Sequence, residues 1–127
     1  MTPKAAAIIR KLETSLTPLG AFRSRAMFGG HGLYLDDLFF GLIAYDKFYL
    51  KTDEENRGDF IKAKSKPFSF ESSRKGLVTT SYWQCPSEVF EDGRKLRRWI
   101  GKSLEAARRA KAAKPKRAPR KPKDFPF

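Results

Sequence analysis

The sequence has little of what metal centres, disulfide frameworks and covalent catalysis require. Cys85 is the only cysteine and His31 the only histidine among 127 residues. A lone cysteine excludes an intramolecular disulfide and gives no support to an oxidising compartment. One histidine and one cysteine cannot supply the four nitrogen and sulfur ligands of a structural zinc site. We therefore predict no metal and no cofactor.

Long apolar runs are also absent. The N-terminal segment 1–10 lacks an apolar stretch of signal-peptide length. The longest apolar run, Leu38 to Tyr45, is far shorter than the roughly 20 residues that a membrane helix needs. The sequence thus predicts a cytoplasmic protein without membrane insertion.

Acidic residues are missing from segment 108–123, which makes the charge of the chain uneven. The net charge is +13 and the isoelectric point is about 10.1. Segment 108–127 contains nine of the 27 Lys and Arg residues and one of the 14 acidic residues, so the remainder of the chain has a net charge of +5. Pro115, Pro119 and Pro122 exclude a continuous helix there. We predict a folded domain over residues 1–109 and a disordered basic Lys/Ala/Pro tail over residues 110–127.

The basic tail predicts contacts with nucleic acid. Lys and Arg bind phosphates and give affinity without reading the base sequence. The alternatives are a solubility tail or an unspecific polycation. The candidate nucleic-acid-binding residues are Arg108, Arg109, Lys111, Lys114, Lys116, Arg117, Arg120, Lys121 and Lys123.

The apolar periodicity predicts an α+β two-layer sandwich. Thr2 and Pro3 begin a helix, four strands follow between Phe22 and Lys51, and Thr52–Glu55 has the form of a capping box for a short helix. Two further strands precede Pro86, and Asp92 caps a long helix. Short connections favour an antiparallel sheet of about five to six strands with helices on one face. The run from Leu38 to Tyr45 predicts a central strand covered on both faces, by helices or by a partner subunit.

Gly29, Gly30 and Gly32 predict a sharp structural turn between two strands, because glycine tolerates positive φ and close backbone approach. His31 lies in this turn, and we interpret it as an exposed loop residue without an oriented catalytic partner. Cys85 precedes Pro86 and is interpreted as a buried small residue rather than as a nucleophile. No catalytic residue is therefore predicted.

The aromatic residues follow strand periodicity. Aromatic rings on a sheet face can stack nucleic-acid bases. A domain of this size needs such residues for its core, so core packing is the stronger interpretation, with a subset covering a dimer interface.

Four ordered segments carry a resemblance to a known family: Arg25–Asp37, Phe40–Lys51, Asp53–Arg57 and Ser81–Pro86. They resemble the N-terminal domain of the TfoX/Sxy family of bacterial competence regulators, over roughly residues 3–109. The resemblance implies an α+β fold and a regulator of DNA uptake or transcription that works through protein partners. Full-length members carry a second, helical C-terminal domain, which residues 111–127 cannot form.

We therefore expect a non-enzymatic regulatory binding module that forms a homodimer and contacts nucleic acid through its tail. The alternative is a protein–protein interaction adaptor without a DNA role. A small hydrolase or redox enzyme that uses His31 or Cys85 has the least support, because no catalytic constellation is visible.

Overall fold

A computed structural model describes residues 2–27 and 30–113, and within them the chain forms four α-helices and six β-strands. The helices are α1 (Pro3–Leu16), α2 (Arg57–Lys62), α3 (Ser87–Glu91) and α4 (Gly93–Ala113). The strands are β1 (Phe22–Met27), β2 (Gly30–Leu35), β3 (Leu38–Ala44), β4 (Lys47–Lys51), β5 (Pro67–Ser72) and β6 (Gly76–Gln84). A short 3₁₀ turn, Thr17–Leu19, follows α1.

The six strands form one antiparallel sheet in the order β1-β2-β3-β4-β6-β5. Two-residue turns join β2 to β3 at Asp36–Asp37 and β3 to β4 at Tyr45–Asp46, and all four turn residues have positive φ. Positive φ at both central residues is the geometry that matches the twist of a tight hairpin. The predicted α+β sandwich with an antiparallel sheet is confirmed.

One face of the sheet is covered by helices. Thr2 Oγ1 accepts a hydrogen bond from the Ala5 backbone N–H at 3.1 Å, so α1 begins where predicted. Asp92 Oδ1 accepts from the N–H groups of Arg94 and Lys95 at 3.0 and 3.2 Å, which confirms the predicted cap of α4. Residues from all four helices pack with the strands in one core, whose fully buried members include Leu12, Leu16, Leu33, Phe40, Leu50, Phe60, Leu96 and Ile100.

The opposite face carries a second apolar cluster built from strand residues alone. Leu42, Ala44, Tyr49, Phe68 and Phe70 are buried in it, and Phe39, Val78 and Tyr82 pack against it while partly exposed. The run from Leu38 is thus a central strand covered on both faces, as predicted. Among the described residues, side chains of β4, β5 and β6 pack with those of β3 on this face and no helix residue belongs to the cluster, while the cover by a partner subunit stays a prediction.

The predicted capping box at Thr52–Glu55 is wrong, because its side chains have other partners. The Thr52 hydroxyl donates to the Ser81 carbonyl at 2.7 Å. The buried Asn56 accepts from the Asp53 N–H at 2.7 Å and donates to the Lys51 carbonyl at 3.1 Å. These bonds hold the connection in a non-helical path, and α2 begins only at Arg57.

Helix α4 includes Ala113, the last described residue, four residues beyond the predicted domain boundary at residue 109. Residues 110–113 are therefore helical, although the sequence analysis assigned them to a disordered tail. Alanine and lysine are strong helix formers, and the first proline comes only at position 115. The remainder of the predicted tail, residues 114–127, lies outside the described residues.

None of the helices within residues 2–27 and 30–113 combines the length and the apolar character that crossing a membrane requires.

Candidate functional site

The C-terminal turns of α4 carry three of the nine basic residues predicted to contact nucleic acid. These three are Arg108, Arg109 and Lys111. The other six lie outside the described residues: Lys114, Lys116, Arg117, Arg120, Lys121 and Lys123.

Arg109 is held by carboxylates of the connection that follows β4. Its Nε and Nη2 atoms lie 2.6 and 3.0 Å from the two carboxylate oxygens of Asp53, and Nε lies 3.2 Å from Glu55 Oε2. This two-pronged contact gives the guanidinium a fixed orientation. The hydrogen bond from Arg109 lowers the pKa of Asp53 below its ordinary value. Arg109 thus joins the C-terminal turns of α4 to the connection after β4, and its guanidinium is paired with carboxylates instead of being free to bind phosphate.

Arg108 and Lys111 face solvent. Arg108 Nη1 lies 3.0 Å from Glu105 Oε2, and both side chains are 59% exposed, so solvent screens the pair. Lys111 is exposed and lines a surface cavity of about 330 Å³ together with Phe39, Tyr82 and Ala110. Of the three described candidates, Lys111 is the one for which the described residues provide no ion pair.

Two of the three glycines of the predicted turn lie in a strand. Gly30 and Gly32 both belong to β2, where they pair with Met27 and Arg25 of β1. The antiparallel ladder with β1 pairs this segment, so both glycines are strand residues and not turn residues. Gly29, the remaining member of the predicted turn, lies outside the described residues.

His31 is a strand residue rather than an exposed loop residue. It pairs with Ala26 on one side and with Ile43 on the other, and it is partly buried. Burial lowers the pKa of His31 below its ordinary value of 6.5, so the ring is neutral at neutral pH. Within residues 2–27 and 30–113, no side chain is hydrogen-bonded to this ring. A general base needs such an orienting partner.

Cys85 is buried directly after β6, and burial raises the pKa of its thiol to about 12. The thiol is therefore protonated at neutral pH, whereas the thiolate is the nucleophile. The Cys85 N–H donates to the carbonyl of Phe48 in β4. Phe48 pairs with Ile43 in β3, and Ile43 pairs with His31 in β2. Three strand spacings of about 4.8 Å thus separate the two residues by about 14 Å, too far for a cysteine–histidine pair.

The sheet face opposite the helices is called the helix-free face, because no helix residue belongs to its apolar cluster, although the C-terminal turns of α4 border it near Phe39 and Tyr82. It carries a row of partly exposed aromatic rings. The ring centres of Tyr34 and Phe39 are 5.1 Å apart, and those of Phe39 and Tyr82 are 5.5 Å apart. Arg23 lies over the Tyr34 ring and Lys51 over the Tyr82 ring, at 5.4 and 5.2 Å from the ring centres. This aromatic row offers an apolar surface flanked by cations, suited to contact with another macromolecule.

Sequence reasoning missed the role of Asp53 and Glu55 as partners of Arg109. It placed both acids at a helix N-terminus, where a carboxylate has a local explanation. The contact spans 56 residues of sequence, so no local pattern indicates it.

Two comparisons with known proteins point to the same family. A model of the TfoX N-terminal domain matches residues 14–107. Protein Sxy of Escherichia coli (strain K12) is 26% identical over 106 residues, which cover 84% of this chain and 50% of Protein Sxy. The chain thus spans about half the length of this relative. Because the domain model matches well over half of the chain, the chain belongs to the TfoX N-terminal domain family of competence-regulator-like proteins.

Proposed function

We propose that the protein is a non-enzymatic regulatory module that acts through a protein partner and contacts nucleic acid unspecifically through its basic C-terminal segment. The observation that carries the nucleic-acid contact is the charge pattern of segment 108–123, nine cations without an acid. A phosphate backbone is the common polyanion that such a segment neutralises, with release of counterions.

The ion pairs of α4 support a proposed contact that does not include Arg109. Arg109 is engaged by Asp53 and Glu55, and Arg108 by Glu105. Arg108, whose pair is screened by solvent, Lys111 and the six cations of segment 114–127 therefore remain as the proposed phosphate ligands. The non-enzymatic part of the proposal is supported by the protonated thiol of Cys85 and by its separation from His31.

The test is the binding of a labelled DNA duplex of arbitrary sequence, followed by fluorescence anisotropy over a series of salt concentrations. In a full-length tail-neutral variant, glutamine replaces Lys114, Lys116, Arg117, Arg120, Lys121 and Lys123. We expect the variant to lose most of the affinity, and the slope of log K against log salt to fall by up to about five, since each contact contributes about 0.9. A second duplex of different sequence should bind equally well. Equal binding by the wild type and the tail-neutral variant would refute the nucleic-acid role of the tail.

A second candidate function is a protein-interaction adaptor without a DNA role. The aromatic row of Tyr34, Phe39 and Tyr82 favours it, because partly exposed aromatic residues are typical of protein interfaces. A homodimer through this face is the simplest form of the proposal. Sedimentation of the wild type should then show a dimer that Phe39→Ser dissociates. Leu77→Ser, which changes an exposed apolar residue outside the cluster, is the matched control.

A further inference from the structure

A basic cleft lies on the folded domain, apart from the end of α4. It has a volume of about 520 Å³ and forms where the start of β4, the end of β6, the α2–β5 connection and the start of α3 meet. Lys47, Lys64 and Lys66 line it, and Glu88 is the one carboxylate among its described lining residues. The cleft therefore concentrates positive charge in a concave surface.

The segment that carries two of these lysines is fixed by backbone contacts. The N–H groups of Lys64 and Ser65 donate to the carbonyls of Ile61 and Phe60 at 3.0 and 2.9 Å. The Gln84 N–H donates to the Lys66 carbonyl at 3.0 Å, and the Ser65 hydroxyl donates to the Gln84 carbonyl. These bonds join the α2–β5 connection to the end of β6, so the cleft is built on a defined frame.

The charges of the cleft are not balanced within the domain. Across the described ranges 2–27 and 30–113, Lys47, Lys64 and Lys66 make no salt bridge, and all three are exposed. Neighbouring like charges repel each other, and a concave wall concentrates their field. Lys64 also has a φ of +61°, a backbone position just after a helix that favours glycine. Lysine thus occupies a position at which the backbone conformation alone would favour glycine.

The chemistry of the cleft suits phosphate. Its described lining is lysine, serine, glutamine and glutamate with Ala63, Cys85 and Pro86, and it includes no aromatic ring. Lysine is a hydrated point charge that contacts phosphate without strict geometry. Without aromatic rings, the cleft offers no surface on which bases can stack, so a contact with the phosphate backbone suits it better. An acidic protein segment would also meet the charge, but protein interfaces add an apolar and aromatic centre that this cleft lacks.

We propose that this cleft is a second contact for the phosphate backbone of nucleic acid, on the folded domain itself. The inference rests on the proposed function, because it assigns the same polyanion to the cleft as to the tail. Both contacts are electrostatic, so the cleft adds affinity and salt dependence without sequence specificity.

The test compares two full-length triple variants with the same loss of charge. The cleft variant carries Lys47→Gln, Lys64→Gln and Lys66→Gln. The control variant carries Lys4→Gln, Lys75→Gln and Lys95→Gln, three exposed lysines outside the cleft. Thermal melts establish that both are folded. In the DNA anisotropy assay we expect the cleft variant to lose about tenfold in affinity and two to three from the salt slope, and the control less than about twofold.

Equal losses in the two triple variants would overturn the inference, since net charge alone would then explain them. Binding that is abolished in the tail-neutral variant and unchanged in the cleft variant would also overturn it, while the proposed function of the tail would stand. Wild-type protein that does not bind DNA would refute the proposed function and this inference with it. The assignment to nucleic acid would be refuted if a poly-glutamate peptide bound the wild type more tightly than DNA of equal charge and did not bind the cleft variant.

Discussion

The two faces of the sheet are both apolar, but they are buried in different ways. On the helix-covered face, Leu33, Phe40 and Leu50 have no exposed surface. On the helix-free face, Phe39 and Tyr82 remain partly exposed, although Leu42 beside them is buried. Phe39 and Phe40 are neighbours in sequence and belong to opposite clusters, because successive residues of a strand point to opposite faces.

This difference separates two uses of apolar residues in one small domain. Side chains that helices cover contribute to folding, since they leave water entirely. The partly exposed rings of the helix-free face keep apolar surface that a partner can cover. The helix-covered face should therefore dominate stability, and the helix-free face should matter more for association.

The largest expected effect is that of removing a ring from the helix-covered face. Phe40→Ala deletes a fully buried ring and should lower the free energy of unfolding by about 3–5 kcal/mol. Phe39→Ala, the matched change on the helix-free face, should cost less than about half of this, because its ring is already partly hydrated. Urea unfolding followed by circular dichroism measures both values. Similar losses in the two variants would contradict the division between the faces.

A smaller effect is expected at Gly41 in β3, where a neighbouring strand leaves no room for a side chain. Between β2 and β3 the register shifts, so that Leu33 pairs with Gly41, Tyr34 pairs with Phe39, and Phe40 is the extra residue. A Cβ atom on Gly41 would lie 2.5 Å from the backbone oxygen of Tyr49 in β4. Gly41→Ala should therefore destabilise the domain by about 1–3 kcal/mol through overpacking of backbone atoms that cannot move aside easily.

Gly101→Ala is the control for this substitution. Gly101 lies inside α4, and a Cβ atom there would meet nothing within 4 Å. Replacing an unobstructed helical glycine should stabilise the domain by about 0.5–1 kcal/mol. Melting temperatures that shift in opposite directions from the wild type in these two variants would support the close approach at Gly41. A neutral Gly41→Ala variant would show that β3 and β4 can separate at little cost.

Local patterns predicted the features of the fold that depend on neighbouring residues. The cap at Asp92 and the helix start at Thr2 each involve residues a few positions apart, and the structure contains both. The capping box at Thr52 also had the right local pattern. The capping box is absent because the Thr52 hydroxyl donates its hydrogen bond to the carbonyl of Ser81, 29 residues away.

Contacts across long stretches of sequence were not accessible in the same way. Lys47 comes next to Lys64 and Lys66 only because β6 lies beside β4 in the sheet. The bulge at Phe40 changes which later residues of β3 face the helices, so simple alternation from Leu38 assigns Leu42 to the wrong face. The sequence thus predicted the elements and the layers, whereas the partners of individual side chains required the fold.

The smallest expected effect tests whether a polar contact at the edge of the helix layer adds to the stability that the helix-covered core provides. Arg109 lowers the pKa of Asp53 from its ordinary value of 3.8, so the pair stabilises the folded state above that pH. This contribution should disappear as the pH falls through the lowered pKa and Asp53 becomes protonated. Because the side chains are 39% and 28% exposed, solvent screens the pair, and Arg109→Gln should cost much less stability at neutral pH than Phe40→Ala. The difference in unfolding free energy between the wild type and this variant should shrink between neutral pH and strong acid. Arg108→Gln is the control, because it removes an exposed pair within α4, and it should differ less from the wild type at every pH. A difference for Arg109→Gln that stays constant with pH would mean that the guanidinium acts through packing of its stem rather than through the charge of Asp53.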